Sequence, residues 1–416
     1  MTPAARLQAA IHIIEGLNTS RLPADRFIRE FFRARRYAGS KDRAAVSERV
    51  YDIFRHRASY GWRMRSETSR ALAIASVLAE QGDVDALFSG GYGPAALTDE
   101  ERAAISASPR ETPSHIAGEY PEFLDSELHR AFGDRTADEM AAMLARAPVD
   151  LRVNTLRSNR DDVLAALQAE NYEAQPTPYS PNGIRLPTAK GLAALQQNKL
   201  FLEGAFEFQD EAAQIACILA DAKPTSHVLD LAAGAGGKAL ALAAAMQNKG
   251  ELVAHDIDEG RLRQIEPRAA RAGVTIIQTH AGKTPPKRPF DLVFLDAPCS
   301  GSGTWRRQPE NKWRLTPERL AELNALQDLL LDQAAARAAG KARIVYATCS
   351  ILPCENEDRI AAFRERHPAF AVRPATEIWA GSTDSRLPPG LGKFLKVTPL
   401  VDGMDGFFTA VLQRAA

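Results

Sequence analysis

The second half of the chain alternates short apolar runs with stretches of helical periodicity, and this pattern limits the possible folds more than any other feature. The runs are rich in Val, Ile and Leu, and helical stretches separate most of them. Their sequences are HVLDLAAGAGG, ELVAHDID, VTIIQTH, FDLVFLDAP, ARIVYATCS and DGFFTAVLQ. Apolar strands that alternate with helices form a parallel sheet covered on both faces. We therefore predict a doubly wound α/β domain at 201–416.

Two further regions precede this domain. Apolar residues recur at helical spacing up to about residue 85, and a segment rich in Gly, Pro, Ser and Thr follows at 86–118. A strand pattern at 151–156 and a helix pattern at 159–169 then indicate a small α+β unit. We predict three domains: a helical domain at 1–118, the small α+β unit at 119–200, and the α/β domain at 201–416.

The charge of the chain is balanced overall but uneven along its length. There are 52 Lys and Arg against 52 Asp and Glu, so net charge gives no sign of a nucleic-acid partner. The segment 26–43, however, is strongly basic and carries the aromatic residues Phe27, Phe31, Phe32 and Tyr37. Such a segment is either a solvated, arginine-rich helix face or a contact to an RNA backbone, and the sequence leaves both open.

Composition excludes several classes of protein. Hydrophobic residues make up 45% and charged residues 25% of the chain, which excludes disorder over most of its length. No apolar run reaches the roughly 18 to 20 residues needed to span a bilayer, and the first helix is too polar for a signal peptide. The four cysteines do not form a disulfide framework, so we expect a cytoplasmic protein. We expect no metal site, and a monomer is favoured although the sequence leaves the oligomeric state open.

A glycine-rich turn after the first strand of the α/β domain is a candidate nucleotide site. Glycines allow a ligand to approach the backbone closely, and the following helix N-terminus favours polar groups. The next strand ends in an acid placed to accept hydrogen bonds from ribose hydroxyls. A phosphate-binding P-loop is excluded by the residues present, whereas a dinucleotide site and a purely structural turn stay open. The candidate cofactor-binding residues are Ala232, Ala233, Gly234, Ala235, Gly236, Gly237, Lys238 and Asp256.

Two cysteines stand in separate motifs, each at the end of a predicted strand. Cys299 stands in DAPCSGSG, three residues after Asp296, and Cys349 stands in YATCS. Ligands of open α/β sheets bind outside these strand ends. A single strand-end cysteine is more often a small buried hydrophobic residue, but two beside one crevice favour a chemical role.

These motifs resemble those of the Sun/Nop family of RNA cytosine-5 methyltransferases. The similarity covers about 120–416 and includes LRVNTLR, FQDEAAQ, LDLAAGAGGK, DAPCSGSGT and YATCSILPCENE in the family's order. The helical N-terminus resembles, more weakly, the NusB-like RNA-binding domain of the bacterial ribosomal-RNA branch. The resemblance implies a Rossmann-like methyltransferase domain and a small unit at 119–200 that binds RNA.

The resemblance also implies a cofactor and residue roles. The cofactor is S-adenosylmethionine, with Asp296 beside it as well as beside the base. Cys349 is the nucleophile that adds to C6 of the cytosine, Cys299 assists release, and Asp296 is the acid that contacts the base. The implied substrate is small-subunit ribosomal RNA; transfer RNA, or a non-catalytic role in ribosome assembly, stays an alternative.

The segment WRRQPENKWR at 305–314 interleaves cations with two tryptophans directly after the Pro-Cys motif. This pattern is typical of phosphate contacts combined with base stacking. The alternative is a solvated loop with structural tryptophans. The candidate RNA-binding residues are Arg306, Arg307, Lys312 and Arg314.

The sequence departs from the family pattern at three positions. Ala235 stands where the cofactor motif has proline, Gly282 where an acidic residue near the adenine is common, and Cys354 where glutamate is usual. The first departure predicts an altered turn geometry with cofactor binding retained. The second removes a side chain that could contact the adenine.

Overall fold

The computed structural model describes residues 1–108, 110–187 and 192–415, and the chain divides into two compact units. The helical unit contains Met1–Ala145 together with the distant segment Trp305–Leu315. The catalytic unit contains Arg146–Thr304 and the chain from Thr316 onward. The division at 145/146 coincides with neither predicted domain boundary, at 118/119 or 200/201.

The helical unit is built from helices whose apolar faces form one core. The helices before residue 145 are α1 (Pro3–Thr19), α2 (Ala24–Arg33), α3 (Ser40–Arg55), α4 (Arg57–Met64), α5 (Ser69–Ala79), α6 (Val84–Leu87), α7 (Asp99–Ser106), α8 (Ser114–Ala117), α9 (Asp125–Phe132) and α10 (Thr136–Ala142). Side chains at helical spacing, such as Val46, Val50 and Ile53, are fully buried in the core. The helical prediction for the first 85 residues is confirmed.

One helix lies inside the stretch that the sequence analysis treated as a loop-rich connection. Helix α7 begins after Thr98, whose side chain accepts a hydrogen bond from the Glu101 amide, while the Glu101 carboxylate accepts one from the Thr98 amide. This capping box satisfies donors that the first turn of a helix leaves free. The Thr-Asp-Glu-Glu sequence was therefore a usable signal, outweighed in the prediction by the surrounding Gly and Pro residues.

The catalytic unit begins with a small antiparallel sheet of order β2-β3-β1-β4. Its elements are β1 (Val149–Val153), α11 (Arg160–Ala169), β2 (Gln175–Pro176), β3 (Gly183–Leu186), α12 (Leu192–Leu195), α13 (Lys199–Leu202) and β4 (Phe206–Phe208). The strand and helix predicted within 148–200 are present, and a separate apolar cluster fills the space between α11 and the sheet.

A large sheet of order β10-β12-β9-β8-β5-β6-β7 forms the rest of the catalytic unit, with β11 paired to β12. Its elements are α14 (Glu211–Leu219), β5 (His227–Asp230), α15 (Gly237–Ala245), β6 (Glu251–Asp256), α16 (Glu259–Leu262), α17 (Ile265–Ala272), β7 (Ile277–Ala281) and β8 (Phe290–Asp296). They continue, after α18 (Pro309–Arg314) of the helical unit, with α19 (Pro317–Arg337), β9 (Ala338–Thr348), α20 (Glu357–Arg366), β10 (Phe370–Arg373), α21 (Ala375–Ser382), β11 (Leu395–Val397), α22 (Pro399–Asp402) and β12 (Phe407–Arg414). Short 3-10 turns occur at Glu122–Leu124, Gly133–Arg135, Ser302–Thr304 and Pro353–Glu355.

The topology of this sheet places a crevice at one edge. Strands β5 to β9 pair in parallel, and β12 pairs with β9 in the antiparallel direction. The chain proceeds from β5 to β6 and β7 on one side, then crosses to β8 and β9 on the other. Ligands of such sheets bind outside the carboxyl ends of the strands where the order reverses, which here is beside β5. The predicted doubly wound α/β fold and its last strand are confirmed.

Candidate active site

The two candidate cysteines lie together at the carboxyl ends of adjacent strands. Asp296 is the last residue of β8 and is in register with Ala347 of β9. Because β8 and β9 are parallel neighbours, the residues that follow them meet at the same edge. The sulfur atoms of Cys299 and Cys349 are 3.4 Å apart. This distance lets one thiol donate a hydrogen bond to the other sulfur.

The Cys299 thiol is a weaker acid than an ordinary cysteine. The hydrogen bond with Cys349, burial and the nearby charge of Glu355 raise the pKa of the Cys299 thiol well above its usual value. A raised pKa favours the thiol form, in which a cysteine can donate a hydrogen bond to a neighbouring sulfur.

A buried polar network holds the loop that carries Cys299. The carboxylate of Glu355 is fully buried and accepts hydrogen bonds from the Ser300 amide at 2.8 Å, the Ser300 hydroxyl at 2.5 Å and the Gln327 side chain at 3.0 Å. The same Gln327 amide donates to the Pro298 carbonyl at 2.9 Å. The backbone on both sides of Cys299 is thus fixed by Glu355 and Gln327. Neither residue was predicted from the sequence, although Glu355 stands inside the motif YATCSILPCENE around Cys349.

A second set of contacts ties the two cysteine loops to each other. The hydroxyls of Ser302 and Ser350 are 2.9 Å apart, and Ser302 also accepts from the Ile351 amide at 3.0 Å. The Gly303 amide donates to the Cys349 carbonyl at 2.9 Å. Since buried, fully satisfied networks restrict side-chain freedom, these bonds fix the separation of the two sulfur atoms.

An ion pair connects Lys238, which follows the glycine turn, with Asp296, the candidate for contact with the base. The Lys238 ammonium lies 2.5 Å from the Asp296 carboxylate. Burial opposes the charged form of Lys238, but the Asp296 carboxylate outweighs it, so the pKa of Lys238 is raised overall. Asp296 remains about one-third exposed, which leaves it accessible to a substrate.

The glycine turn adopts a left-handed backbone that is supported by neighbouring side chains. Gly234 and Gly236 have φ angles of 55° and 81°, in the left-handed region that favours glycine. A side chain at Gly236 would place its Cβ 2.8 Å from Ile265. The Gly234 amide donates to the Asp256 carboxylate at 2.8 Å, so the acid at the end of β6 orients the turn itself.

Two arginine side chains, one buried (Arg152) and one half-buried (Arg268), also hold this turn through its carbonyl groups. Arg268 donates to the Ala235 carbonyl at 2.6 Å and to Glu207 at 2.8 Å. Arg152 donates to the Gly237 carbonyl at 2.8 Å and to Gln209 at 2.6 Å. The turn that lacks the family's proline is therefore held by charge-assisted hydrogen bonds, which are stronger than neutral ones.

The residues around the turn fit a cationic nucleoside cofactor. Asp230, the last residue of β5, is fully buried, and neither of its carboxylate oxygens has a hydrogen-bond partner within the described chain. Burial, together with the carboxylates of Asp296 and Asp256, raises the pKa of Asp230 to about 8. A bound positive charge would relieve this penalty. Asp256 also keeps lone pairs free, because each oxygen accepts only one backbone hydrogen bond, from Gly234 or from Asp258.

The segment that follows the Pro-Cys motif has a different role from the predicted one. Arg306 and Lys312 are 5% and 1% exposed. The Arg314 guanidinium donates to the carbonyls of Leu17, Ser20 and Leu22. We therefore correct the prediction for Arg306 and Lys312, whose side chains are buried within the folded protein. Arg314 is half-buried, and its guanidinium is engaged with those three carbonyls. Arg307 is half-buried, and its RNA contact stays a prediction.

The same segment is part of the core of the helical unit. The Trp313 ring packs against that core, and its indole nitrogen donates to the Phe54 carbonyl at 2.7 Å. The Glu310 carboxylate accepts from the Ala24 amide at the start of α2, at 3.0 Å. These contacts cross more than 250 positions of sequence, which is why local pattern could not reveal them.

Family models match most of the chain. The model described as 16S rRNA methyltransferase RsmB/F matches residues 216–413, and the ferredoxin-like domain of RsmF/B-like methyltransferases matches residues 120–192. A probable ribosomal RNA small subunit methyltransferase B from Synechocystis is 32% identical over 306 residues, which cover 71% of this chain and 67% of that protein. The chain belongs to the RsmB/F methyltransferase family. The resemblance drawn from the motifs is confirmed.

Other relatives and structures agree with this assignment. The ribosomal RNA small subunit methyltransferase B of Photorhabdus laumondii is 32% identical, over 71% of this chain and 66% of that protein, so the chain spans about two thirds of these relatives. The crystal structure of PH0851 is 25% identical with a TM-score of 0.76, over 100% of this chain and 99% of that one. A methyltransferase homologue from Pyrococcus horikoshii is 26% identical with a TM-score of 0.60, over 72% of this chain and 97% of that one. The predicted methyltransferase fold and S-adenosylmethionine as the cofactor are confirmed.

Two findings concern features that the described residues lack. None of their helices is both long and apolar enough to cross a membrane. They also contain no group of three or more His, Cys, Asp or Glu side chains that could hold a metal ion.

Proposed function

We propose that this protein methylates C5 of a cytosine in small-subunit ribosomal RNA through a covalent bond between Cys349 and C6 of the base. The observation that carries the proposal is the pair of cysteine sulfur atoms, 3.4 Å apart, at the ends of β8 and β9. C5 of cytosine is a poor nucleophile, and a thiolate that adds to C6 makes it electron-rich. Two cysteines beside one another provide a group that attacks and a group that assists release.

The motifs of the two cysteines support a division of labour. We assign the nucleophilic role to Cys349 because it stands in the YATCS motif, whose cysteine attacks the base in the family that the sequence resembles. After methyl transfer, a water molecule at the site accepts the C5 proton, the electron pair of that C–H bond re-forms the C5–C6 double bond, and the bond from C6 to Cys349 breaks with its electron pair on sulfur. The protonated Cys299 is positioned to donate a hydrogen bond to the departing Cys349 sulfur as negative charge develops on it.

Asp296 and Lys238 are the candidates for contact with the base. They form a close ion pair at the same strand edge as the cysteines. A carboxylate there can accept a hydrogen bond from the exocyclic amine of cytosine or transfer a proton at N3. The target base must be unpaired or flipped out, because its reacting atoms are otherwise inside a stack.

The cofactor turn and the surrounding acids would hold S-adenosylmethionine, which supplies an electrophilic methyl group when bound. We assign the ribose hydroxyls to Asp256 and the cationic end of the cofactor to the neighbourhood of Asp230. The backbone from Ala232 to Gly237 provides close approach without side chains, and Lys238 follows it. The absence of an acidic residue at Gly282 leaves adenine contact to backbone groups.

Ribosomal RNA is the substrate that the relatives favour, because they are named as a probable and as a ribosomal RNA small subunit methyltransferase B. The test is mass spectrometry of nucleosides from separated 16S, 23S and transfer RNA. The comparison uses four strains. One carries the wild-type gene, one lacks it, and two carry the gene for Cys349→Ala or Cys354→Ala. Cys354 is the matched control, since it lies near the site but outside the sulfur pair.

The expected result is loss of 5-methylcytidine from 16S RNA in the deletion and in Cys349→Ala, with normal levels in Cys354→Ala. Loss from transfer RNA alone would contradict the substrate assignment and favour the transfer-RNA alternative. Unchanged 5-methylcytidine in every fraction would contradict the proposed reaction and favour a non-catalytic role in ribosome assembly.

A further inference from the structure

The two thiols at the strand edge are close enough to form a covalent bond with each other. The sulfur atoms of Cys299 and Cys349 are 3.4 Å apart and unbonded, whereas those of a disulfide are about 2.05 Å apart, so closing the gap needs a movement of about 1.4 Å shared by two side chains. The backbone is closely paired on both sides of the thiols. The Ala297 amide donates to the Ala347 carbonyl at 2.8 Å, and the Gly303 amide donates to the Cys349 carbonyl at 2.9 Å.

Both thiols are accessible to a small solute. Cys299 and Cys349 are partly exposed, and Pro298 beside Cys299 is exposed. The ammonium of Lys238 is near enough to Cys349 for their charges to interact. Reactive cysteines lie in such partly exposed surroundings next to a positive charge, whereas structural cysteines are buried and inert. Cys217, inside the core of the catalytic unit, is of the second kind.

The polar network around the site holds the two thiols side by side. Ser300 directly follows Cys299, and its hydroxyl donates to the buried Glu355 carboxylate at 2.5 Å. Ser350 directly follows Cys349, and its hydroxyl lies 3.5 Å from that of Ser300. Groups fixed next to one another react as if highly concentrated. A sulfur oxidised at this site therefore meets the second thiol before it meets a thiol in solution.

We propose that Cys299 and Cys349 form a reversible disulfide when the protein meets a peroxide, and that this bond switches the enzyme off. The Cys349 sulfur attacks one oxygen of hydrogen peroxide, the O–O bond breaks, and the thiol proton leaves with the other oxygen as water. The Cys299 sulfur then displaces the hydroxyl group of the Cys349 sulfenic acid, and its own proton leaves with that group as a second water. A dithiol reductant reverses the reaction by thiol–disulfide exchange.

The effect on activity rests on the proposed function, because a Cys349 sulfur bonded to Cys299 has no thiolate to add to C6 of the base. The disulfide also protects the nucleophile. A sulfenic acid that meets no thiol is oxidised further to a sulfinic acid, which ordinary thiols do not reduce. Cys299 therefore has a second role, as the thiol that keeps oxidation of Cys349 reversible.

The test uses the full-length variant Cys217→Ala/Cys354→Ala, in which Cys299 and Cys349 are the remaining cysteines of the chain. It is treated with hydrogen peroxide without cofactor or RNA. Intact mass, peptide mapping and methylation of ribosomal RNA are then measured before and after dithiothreitol. We expect the mass to fall by that of two hydrogen atoms and a mapped bridge between Cys299 and Cys349. The remaining activity should equal the fraction of protein that keeps both thiols, and dithiothreitol should restore the rest.

Cys299→Ala in the same background is the matched control. It should form no disulfide within the chain, and mapping should find Cys349 as a sulfinic acid that dithiothreitol does not reverse. Wild-type protein, mapped in parallel, should contain the same bridge as the double variant, which shows that the two alanine substitutions do not create it.

The outcomes separate this proposal from the proposed function. Two unchanged thiols after peroxide, a bridge from Cys349 to Cys354 in wild type, or a bridge between two chains overturns the proposal. A mapped bridge with undiminished methylation also overturns it. If the reduced protein does not methylate ribosomal RNA but the bridge forms and is reversed by dithiothreitol, the proposed function is wrong and the oxidation site stands.

Discussion

Two segments of this protein have a similar residue pattern and opposite structural roles. Residues 26–43 and 305–314 both interleave arginines with aromatic rings, and both suit RNA contact by sequence. In the first, Arg33, Arg36 and Tyr37 are exposed. In the second, Lys312 is 1% exposed and Trp313 packs against the helical core. Burial, which composition does not encode, decides whether an arginine-rich segment can meet a nucleic acid.

The largest expected effect concerns the stability of the helical unit. Trp313→Ala removes a ring packed on the core and the hydrogen bond to the Phe54 carbonyl. We expect a loss of about 3 kcal/mol in the free energy of unfolding, measured by urea unfolding followed by circular dichroism. Tyr37→Ala, at a ring that is 72% exposed, is the control and should change stability by less than about 0.5 kcal/mol. An equal loss in the free energy of unfolding for both variants would contradict the conclusion that segment 305–314 is packed in the core and segment 26–43 is exposed.

The next prediction concerns Lys312 and the pH dependence of the free energy of unfolding. Burial lowers the pKa of Lys312 to about 8; Arg55 adds to this, and Glu119 opposes it. Between pH 8 and the unfolded pKa of about 10.4, the folded state binds fewer protons than the unfolded state, so stability rises with pH there by up to about 1.4 kcal/mol per unit. Below pH 8 the full cost of the buried charge is present.

Lys312→Met removes this cost. We expect the variant to be more stable than wild type at pH 7, by up to about 3 kcal/mol, and the difference to shrink as pH rises from 8 to 10. Unfolding midpoints of both proteins at four pH values provide the measurement. Lys41→Met, at an exposed lysine of the other segment, serves as the control. If the difference in unfolding midpoint between Lys312→Met and wild type does not change with pH, the charge of Lys312 is compensated within the fold.

A third prediction concerns Arg268, a half-buried arginine beside the cofactor turn. Arg268 donates to the Ala235 carbonyl of the cofactor turn and to Glu207, whereas Arg271 pairs with Glu207 but does not contact the turn. Loss of one charge-assisted hydrogen bond costs about 1.5 to 3 kcal/mol, so Arg268→Ala should weaken S-adenosylhomocysteine binding at least about tenfold in calorimetry. Arg271→Ala should leave the affinity nearly unchanged. The same loss in both variants would assign the effect to Glu207 instead.

The smallest expected effect concerns the salt dependence of RNA binding. Arg314→Gln should leave the slope of log affinity against log salt unchanged, because the Arg314 guanidinium is occupied by three backbone carbonyls. Arg36→Gln should lower that slope by about 0.7. Slopes measured in parallel on one labelled single strand compare the two segments directly. A lower slope in Arg314→Gln would show that Arg314 contacts an RNA phosphate.

The fold and the centre of the site were predictable because their signals are local. Strand runs, the glycine turn and the motifs around Cys299 and Cys349 each occupy a few consecutive residues, and parallel topology brings strand ends to one edge. The contact between Glu310 and the Ala24 amide, or between Glu355 and Ser300, depends on chain segments far apart in sequence. Such contacts, and with them the burial of Lys312, follow only from the packed structure.

The most direct test of the central claim is mass spectrometric detection of a covalent protein–RNA adduct. Cys299→Ala protein is incubated with substrate RNA and S-adenosylmethionine, digested and mapped, beside wild type and the double variant Cys299→Ala/Cys349→Ala. The account predicts that a nucleotide accumulates on Cys349 in the single variant and disappears in the double variant. An adduct that persists without Cys349, or none in the single variant, would contradict the assignment of Cys349 as nucleophile and Cys299 as the releasing group.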